Sequence, residues 1–462
     1  MSPITKCSKA SAGTKSSHFL IPPGDRVKIF YRIHPAGSAP VLDKPGFYFT
    51  PLVTEEEHQR GLDRSRPTLL LLHPAFVDSI HHRNLYTDPD IRAEYNIVTF
   101  DFRYHGQTEG EYDEAYDAWC AAAEAAYVLH ALDIPQVHVF ASHTWGCTAG
   151  LRLSVLFPQR VASVTFDGVP WIGHESAEAL EIYGALAKAW FSPRDEDEFF
   201  EAVDEILWFI WGGRDLMPKD VYDYVAGVFL RRSNPRRSAN TWIQANGFLT
   251  RPDVSPEALA QVVCPVLILQ GSENGAYPLE ASEHLSTHLV NADVRIEQIT
   301  DAPFVTSLSH NDVVNPLFHS FIACLPDAPT CTPKSGRTSS EEEFTSALSR
   351  LSIYTSDPSI ANRTPSSAPI NFSVKSPAQR SATRSELDEM IKLSETAFEV
   401  RGTAGPEVWE EVSDDERFEW RFSERDEIRP GEEKRRPSLV ELGFFGQEMV
   451  VQTVETIGTI VV

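Results

Sequence analysis

The sequence predicts a doubly wound, mostly parallel α/β sheet with an inserted helical cap and a disordered C-terminal tail, on three observations. Short apolar runs alternate with helical stretches from Thr68 to Phe166 and resume at Cys264. Strand signals stop between Trp171 and about Ala260, where the chain turns helical and aromatic, and after Leu325 the composition shifts to Ser, Thr and Pro. Strand–helix alternation of this kind places helices on both faces of a parallel sheet. The implied boundaries are 18–170 and 261–325 for the sheet, 171–260 for the cap and 326–462 for the tail.

Each element has its own reason. The runs TLLLL from Thr68, NIVTFD at Asn96 to Asp101, VHVFA at Val137 to Ala141, RVASVTF ending at Phe166 and CPVLILQ at Cys264 to Gln270 are almost purely apolar. Strands covered on both faces need no polar alternation. RVKIFYRI, Arg26 to Ile33, reads as an antiparallel entry strand. An Ala-rich run from Glu114 to Leu132, a stretch from Thr148 to Phe157 and the acidic LEASEHLSTHL supply helices. The cap is rich in rings, among them Tyr183, Trp190, Phe191, Trp208, Trp211, Tyr222, Phe229, Trp242 and Phe248. Such rings either line an apolar pocket or, as is usual at helical spacing, pack a helical core. The tail offers too few apolar residues to offset the entropy of ordering. Two islands interrupt it: 385–400, where Ser385 and Asp388 form a capping box before Leu387 and Ile391, and the apolar segment 439–462. KRRPS, Lys434 to Ser438, has the look of a kinase substrate, and the tail is a candidate to dock a protein partner.

Charge and cysteine content exclude several classes. The net charge is −25, and both parts are acidic: residues 331–462 hold 16 Lys+Arg against 24 Asp+Glu, the rest 25 against 42. A phosphate backbone would be repelled, so nucleic acid is not an expected partner. Six scattered cysteines (Cys7, Cys120, Cys147, Cys264, Cys324, Cys331) show neither disulfide density nor a metal-binding spacing, and read as reduced thiols. With no apolar leader core and no run of about 18 uncharged apolar residues, the expectation is a cytoplasmic protein off the membrane. His73, His81 and His82 cluster in sequence, but no spaced carboxylate or cysteine joins them, so no metal site is expected.

The chemistry concentrates in VHVFASHTWGCTAGLRLSVLFPQRV, where a buried strand runs through Ser142-His143-Thr144-Trp145-Gly146 into a helix. That is a nucleophile elbow, a sharp turn that lifts one side chain above the sheet and aims backbone N–H groups at a developing oxyanion. On these residues the chain resembles the α/β-hydrolase family over about residues 18–325. LLLLHPAFVDS resembles its oxyanion loop, FDFRYHGQTEG its Asp-x-Arg-Gly-His-Gly turn, and LFPQRV its next helix end.

The resemblance implies a cofactor-free hydrolase of esters, lactones or related apolar acyl compounds, with a small apolar substrate under the cap. Thr144 falls at the nucleophile position, His310 at the base and Asn274 at the acid, so the implied triad is degenerate. Asp167, ending the strand before the cap, and Glu273 are substitute acids, and the amides of Trp145 and Ala75 are the implied oxyanion donors, since Pro74 has no N–H. Arg103 and His105 are implied to brace their turn. A β-branched Thr is strained at positive φ, and Asn cannot neutralise an imidazolium. Each residue also has a structural reading: Thr144 closing a tight turn, His310 as a hydrogen-bonded surface histidine, Asp167 as a strand-end anchor. The alternative function is therefore a catalytically silent hydrolase-fold binding or regulatory protein, as in the N-myc downstream-regulated family.

Overall fold

A computed structural model of the chain describes residues 19–37, 60–172, 177–193, 196–233, 238–273, 277–325 and 340–399. Nine strands form one sheet: β1 (Phe19–Leu20), β2 (Val27–His34), β3 (Thr68–Leu72), β4 (Asn96–Phe100), β5 (Glu109–Gly110), β6 (Val137–Ser142), β7 (Val161–Asp167), β8 (Val266–Gly271) and β9 (Val294–Ile299). Their order is β1-β2-β4-β3-β6-β7-β8-β9, with β5 pairing β2. The pairings from β4 to β9 are parallel, and β2 enters antiparallel to β4. This is the doubly wound, mostly parallel sheet that the apolar runs predict.

Period-two alternation sorts the strands onto two cores. Leu70 and Leu72 of β3 face one apolar cluster together with Val139 and Phe166, while Leu69 and Leu71 face the other with Phe140, Leu267 and Leu269. The first cluster is covered by α1 (Ala118–Ala131) and α2 (His143–Leu156). Asp117 caps α1 by accepting from the amides of Trp119 and Cys120 at 2.9 and 3.1 Å.

Between β7 and β8 lie the cap helices α3 (Ala177–Phe191), α4 (Glu196–Trp211), α5 (Lys219–Arg232) and α6 (Ser238–Leu249). After β8 come α7 (Leu279–His288) and α8 (Asn311–Ala323). In the cap, Trp190, Phe191, Trp211, Tyr222, Phe229, Trp242 and Phe248 are buried, so these rings pack a core.

The C-terminal segment departs from expectation. Residues 340–399 are not a tail: α9 (Ser340–Tyr354) and α10 (Pro377–Glu399) are folded onto the body, and the expected helix at 385–400 overlaps α10 up to Glu399. The reason is a hidden apolar stripe, for Phe344, Ala347, Leu348 and Leu351 recur at helical spacing and are all fully buried. Phe344 meets Phe157 at 5.2 Å and Phe372 at 6.1 Å between ring centroids. Glu343 accepts from Arg160 Nε at 2.6 Å and pairs with its Nη2, both side chains being 6% exposed. Lys375 Nζ donates to Asn246 of α6 at 3.3 Å, and Val374 N to Asp117 at 2.8 Å, so one segment touches both the cap and the sheet's helical layer. The island at 439–462, the KRRPS stretch, Cys7 and Cys331 lie outside the described residues.

Candidate functional site

Register places the site. Ser142 at the end of β6 pairs with Asp167 at the end of β7, so both side chains stand at the carboxyl edge of the sheet, where ligands bind in open α/β folds. At this edge β6 turns sharply into α2, and the residue with positive φ is His143, at 59°. The expected corner residue was Thr144; the left-handed position falls one residue earlier. The physical reason is residue type, since His tolerates the left-handed region several-fold better than a β-branched Thr. Gly146, three residues on, fits against β3: a Cβ there would lie 2.4 Å from the Leu72 carbonyl oxygen.

The corner is closed over. Thr144 is fully buried, and its Oγ1 lies 2.7 Å from His143 Nδ1. His143 is 2% exposed, its ring stacked beneath Trp211 of the cap with centroids 6.3 Å apart and set edge-on to Phe304 at 5.3 Å. Burial, reinforced by Arg251, pulls the His143 imidazole down to about 3, so it is neutral at physiological pH.

The expected acids and base that the structure describes each have their own hydrogen-bond partners. Asp167 is fully buried and accepts from Thr306 N and Oγ1, both at 2.7 Å, from Ser307 N at 3.2 Å and from Ser142 Oγ at 3.3 Å. Burial pushes its carboxyl up, opposed by these hydrogen bonds. Asp167 thereby anchors the helical turn that leads into His310, whose Nδ1 lies 2.8 Å from Ser309 Oγ at the start of α8. Among the described residues no hydrogen bond joins Thr144, Asp167 and His310. Glu273 is exposed and bonded to Ser272, and Asn274 lies outside the described residues.

Of the two expected oxyanion donors, Trp145 is 1% exposed with its ring against Tyr116 and His105, and Ala75 is equally buried. With His143 at the corner, the amide that follows it belongs to Thr144. The loop after His73 is engaged by the cap: Phe76, at φ 67°, donates its N–H to Gln244 Oε1 at 3.0 Å, and Gln244 Nε2 donates to Tyr104 O at 2.6 Å. Arg103 is buried between Glu124 (2.9 Å) and Asp25 (2.7 Å). His73 Nε2 accepts from Phe102 N at 3.0 Å, so its Nδ1 carries the proton donated to Pro74 O at 2.7 Å. The parts missed from sequence are His143 and Gln244, and Trp211 was read only as one of the cap's rings; His143 was signalled by the left-handed preference just given, Gln244 by nothing local.

Neutral buried histidines give a pH prediction. Burial lowers His82 to about 3 and His138 to about 4, as it does His143. The unfolded chain takes up these protons near 6.5 while the folded chain does not, so stability is full above that pH and declines as pH falls toward the folded values. At pH 5 each such imidazole is expected to cost about 2 kcal/mol relative to pH 7.5. Urea unfolding across this range checks it; a flat stability from pH 7.5 to 5 would contradict it.

Among the described residues no three His, Cys, Asp or Glu side chains are grouped to hold a metal, and no helix is long and apolar enough to cross a membrane. The model of the alpha/beta hydrolase fold family matches residues 68–302. No curated protein matches the chain. Among solved structures, a carboxylesterase of the thaumarchaeon Nitrososphaera gargenis is 15% identical, with a TM-score of 0.50 over 66% of this chain and 98% of that one. The enol-lactonase of Burkholderia xenovorans LB400 is also 15% identical, with a TM-score of 0.49 over 66% and 99%. At such identities the likeness is one of fold.

Proposed function

The chain belongs to the alpha/beta hydrolase fold family, and from that premise we propose that it serves as a binding or regulatory protein whose hydrolytic corner is closed. The observation that carries this reading is the corner itself, with His143 in the left-handed position under Trp211 and Thr144 sealed in the helix behind it. Acyl hydrolysis needs an accessible nucleophile, a base of suitable basicity within hydrogen-bond reach and donors free to meet an oxyanion. The imidazole that Thr144 reaches is His143, and an imidazole held near 3 is a poor base at neutral pH. The amide of Phe76 already has a partner in Gln244.

The hydrolytic alternative is a slow ester or lactone hydrolase in which Thr144 attacks, His310 is base and then acid, Asn274 or Asp167 orients His310, and the amides of Trp145 and Ala75 hold the oxyanion. It draws support from the correspondence of SHTWG to the family's elbow motif. One assay separates the two: hydrolysis of short p-nitrophenyl esters and small lactones by the full chain, with Thr144→Ser, Thr144→Ala and His310→Ala. We expect all four proteins to stay at the buffer rate, since a serine at 144 would be buried as the threonine is. A native rate above buffer that falls about tenfold or more in both Thr144→Ala and His310→Ala would overturn the closed-corner reading.

A further inference from the structure

The sheet ends at β9, whose outer edge is unpaired. Among the described residues β9 pairs only with β8, in unbroken parallel register from Val294 to Ile299. Val266 N donates to Asp293 O at 2.8 Å and Ser272 N to Ile299 O at 3.0 Å, so the odd-numbered residues of β9 turn their peptide groups toward β8. The N–H and C=O groups of Val294, Ile296 and Gln298 therefore point outward, away from the sheet. Such an edge is a template for a further strand unless proline, a bulge or a repelling charge blunts it. β9 has neither proline nor bulge. Its two charges are of opposite sign: Arg295 Nε donates to Glu297 Oε1 at 2.5 Å, the side chains being 53% and 32% exposed. On the other face of the strand, Val294 and Ile296 are half-buried against the main apolar cluster.

We propose that this edge joins two copies of the chain: a second copy adds its own β9 antiparallel, with Ile296 on the two-fold axis. In an antiparallel pair, residues directly opposite share a face and turn their peptide groups alike, so a symmetric pairing centres on one residue. With Ile296 at the centre, Ile296 meets its own copy and Val294 meets Gln298 of the second copy. These pairs exchange both backbone bonds and use every outward group of the three residues. Arg295 then stands opposite Glu297 of the second copy, and Glu297 opposite Arg295, in the closer positions that share no backbone bond. Moving the centre to Arg295 or to Glu297 sets guanidinium against guanidinium or carboxylate against carboxylate, and like charges directly opposite resist pairing. The charge pattern of β9 is thus self-complementary in one of these three registers. The edge lies three strands from β6, so the pairing stands apart from whether the corner turns over substrate.

The test is sedimentation velocity of the full chain, native and with Arg295→Glu or Glu297→Arg. It is run up to about 0.1 mM protein in about 150 mM salt, where a Debye length of about 8 Å screens the net charge of −25 on each copy. Neither side chain is buried, so the reversals leave the core intact. The native chain is expected to dimerise, and each reversal to weaken the dimer about tenfold or more, because it sets like charges opposite at two symmetry-related places. Mixed in equal amounts, the two variants should pair with each other as the native chain does with itself, since every opposing position again joins a carboxylate to a guanidinium. A native chain that sediments as a monomer throughout, as it would with another segment of the chain on this edge, would overturn the proposal. So would a single reversal that dimerises as the native chain does, or a mixture that stays monomeric.

Discussion

Ending the chain at Leu325 is expected to abolish cooperative folding. The cut removes Phe344, Leu348, Leu351, Phe372 and Leu387, each no more than 1% exposed, and uncovers Phe157 beneath them. Fully burying one large apolar side chain stabilises by about 1.5–3 kcal/mol. The cut also strands Arg160, buried and paired with Glu343, and breaking a buried pair from one side costs about 3–5 kcal/mol. Together these losses are of the same order as the roughly 5–15 kcal/mol that holds an ordinary domain folded. The shortened chain should therefore bind a hydrophobic dye and lack a sharp thermal transition. Phe344→Ala, a milder probe, should cost about 3–5 kcal/mol. A chain ending at Leu325 that melts cooperatively at the full-length temperature would show that residues 340–399 do not belong to the body.

Gly146→Ala should be nearly as severe, although it adds one methyl. The new Cβ would lie 2.4 Å from Leu72 O and 3.0 Å from His73 O, both backbone atoms at the end of β3 that cannot turn aside. The corner must open or the strand must shift, and a loss above about 4 kcal/mol is expected by denaturant unfolding. Gly184 in α3 is the control, with nothing within 4 Å of its added Cβ, and Gly184→Ala should stabilise by about 0.5–1 kcal/mol. A cost below about 1 kcal/mol for Gly146→Ala would mean that α2 is not pressed against β3 at this point.

How far the sequence carries the account depends on the scale of the feature. Sheet strands such as Thr68–Leu72 and Val266–Gly271 are legible because burial on both faces leaves an uninterrupted apolar run that few other environments produce. Residues 340–354 were also legible in principle, since SEEEFTSALSRLSIY combines an acidic first turn with an apolar stripe. Averaged composition over a Ser/Thr/Pro-rich region concealed that periodicity. The corner is harder. The elbow motif marks a strand-to-helix turn but does not say which residue takes the left-handed conformation, and an offset of one residue decides whether position 144 faces the site or the helix interior. What fills the site comes from Trp211 and Gln244, more than 60 residues away in sequence, and no local pattern carries such a contact.

The closed corner is tested most directly by an active-site phosphonylating probe, which would join phosphorus to a reactive hydroxyl oxygen and release fluoride. Incubated at pH 7.5 with a short alkyl fluorophosphonate and weighed intact, the full chain should show no added mass, because the Thr144 hydroxyl has neither exposure nor an adequate base. A stoichiometric adduct mapped to Thr144, and lost in His310→Ala, would contradict the account.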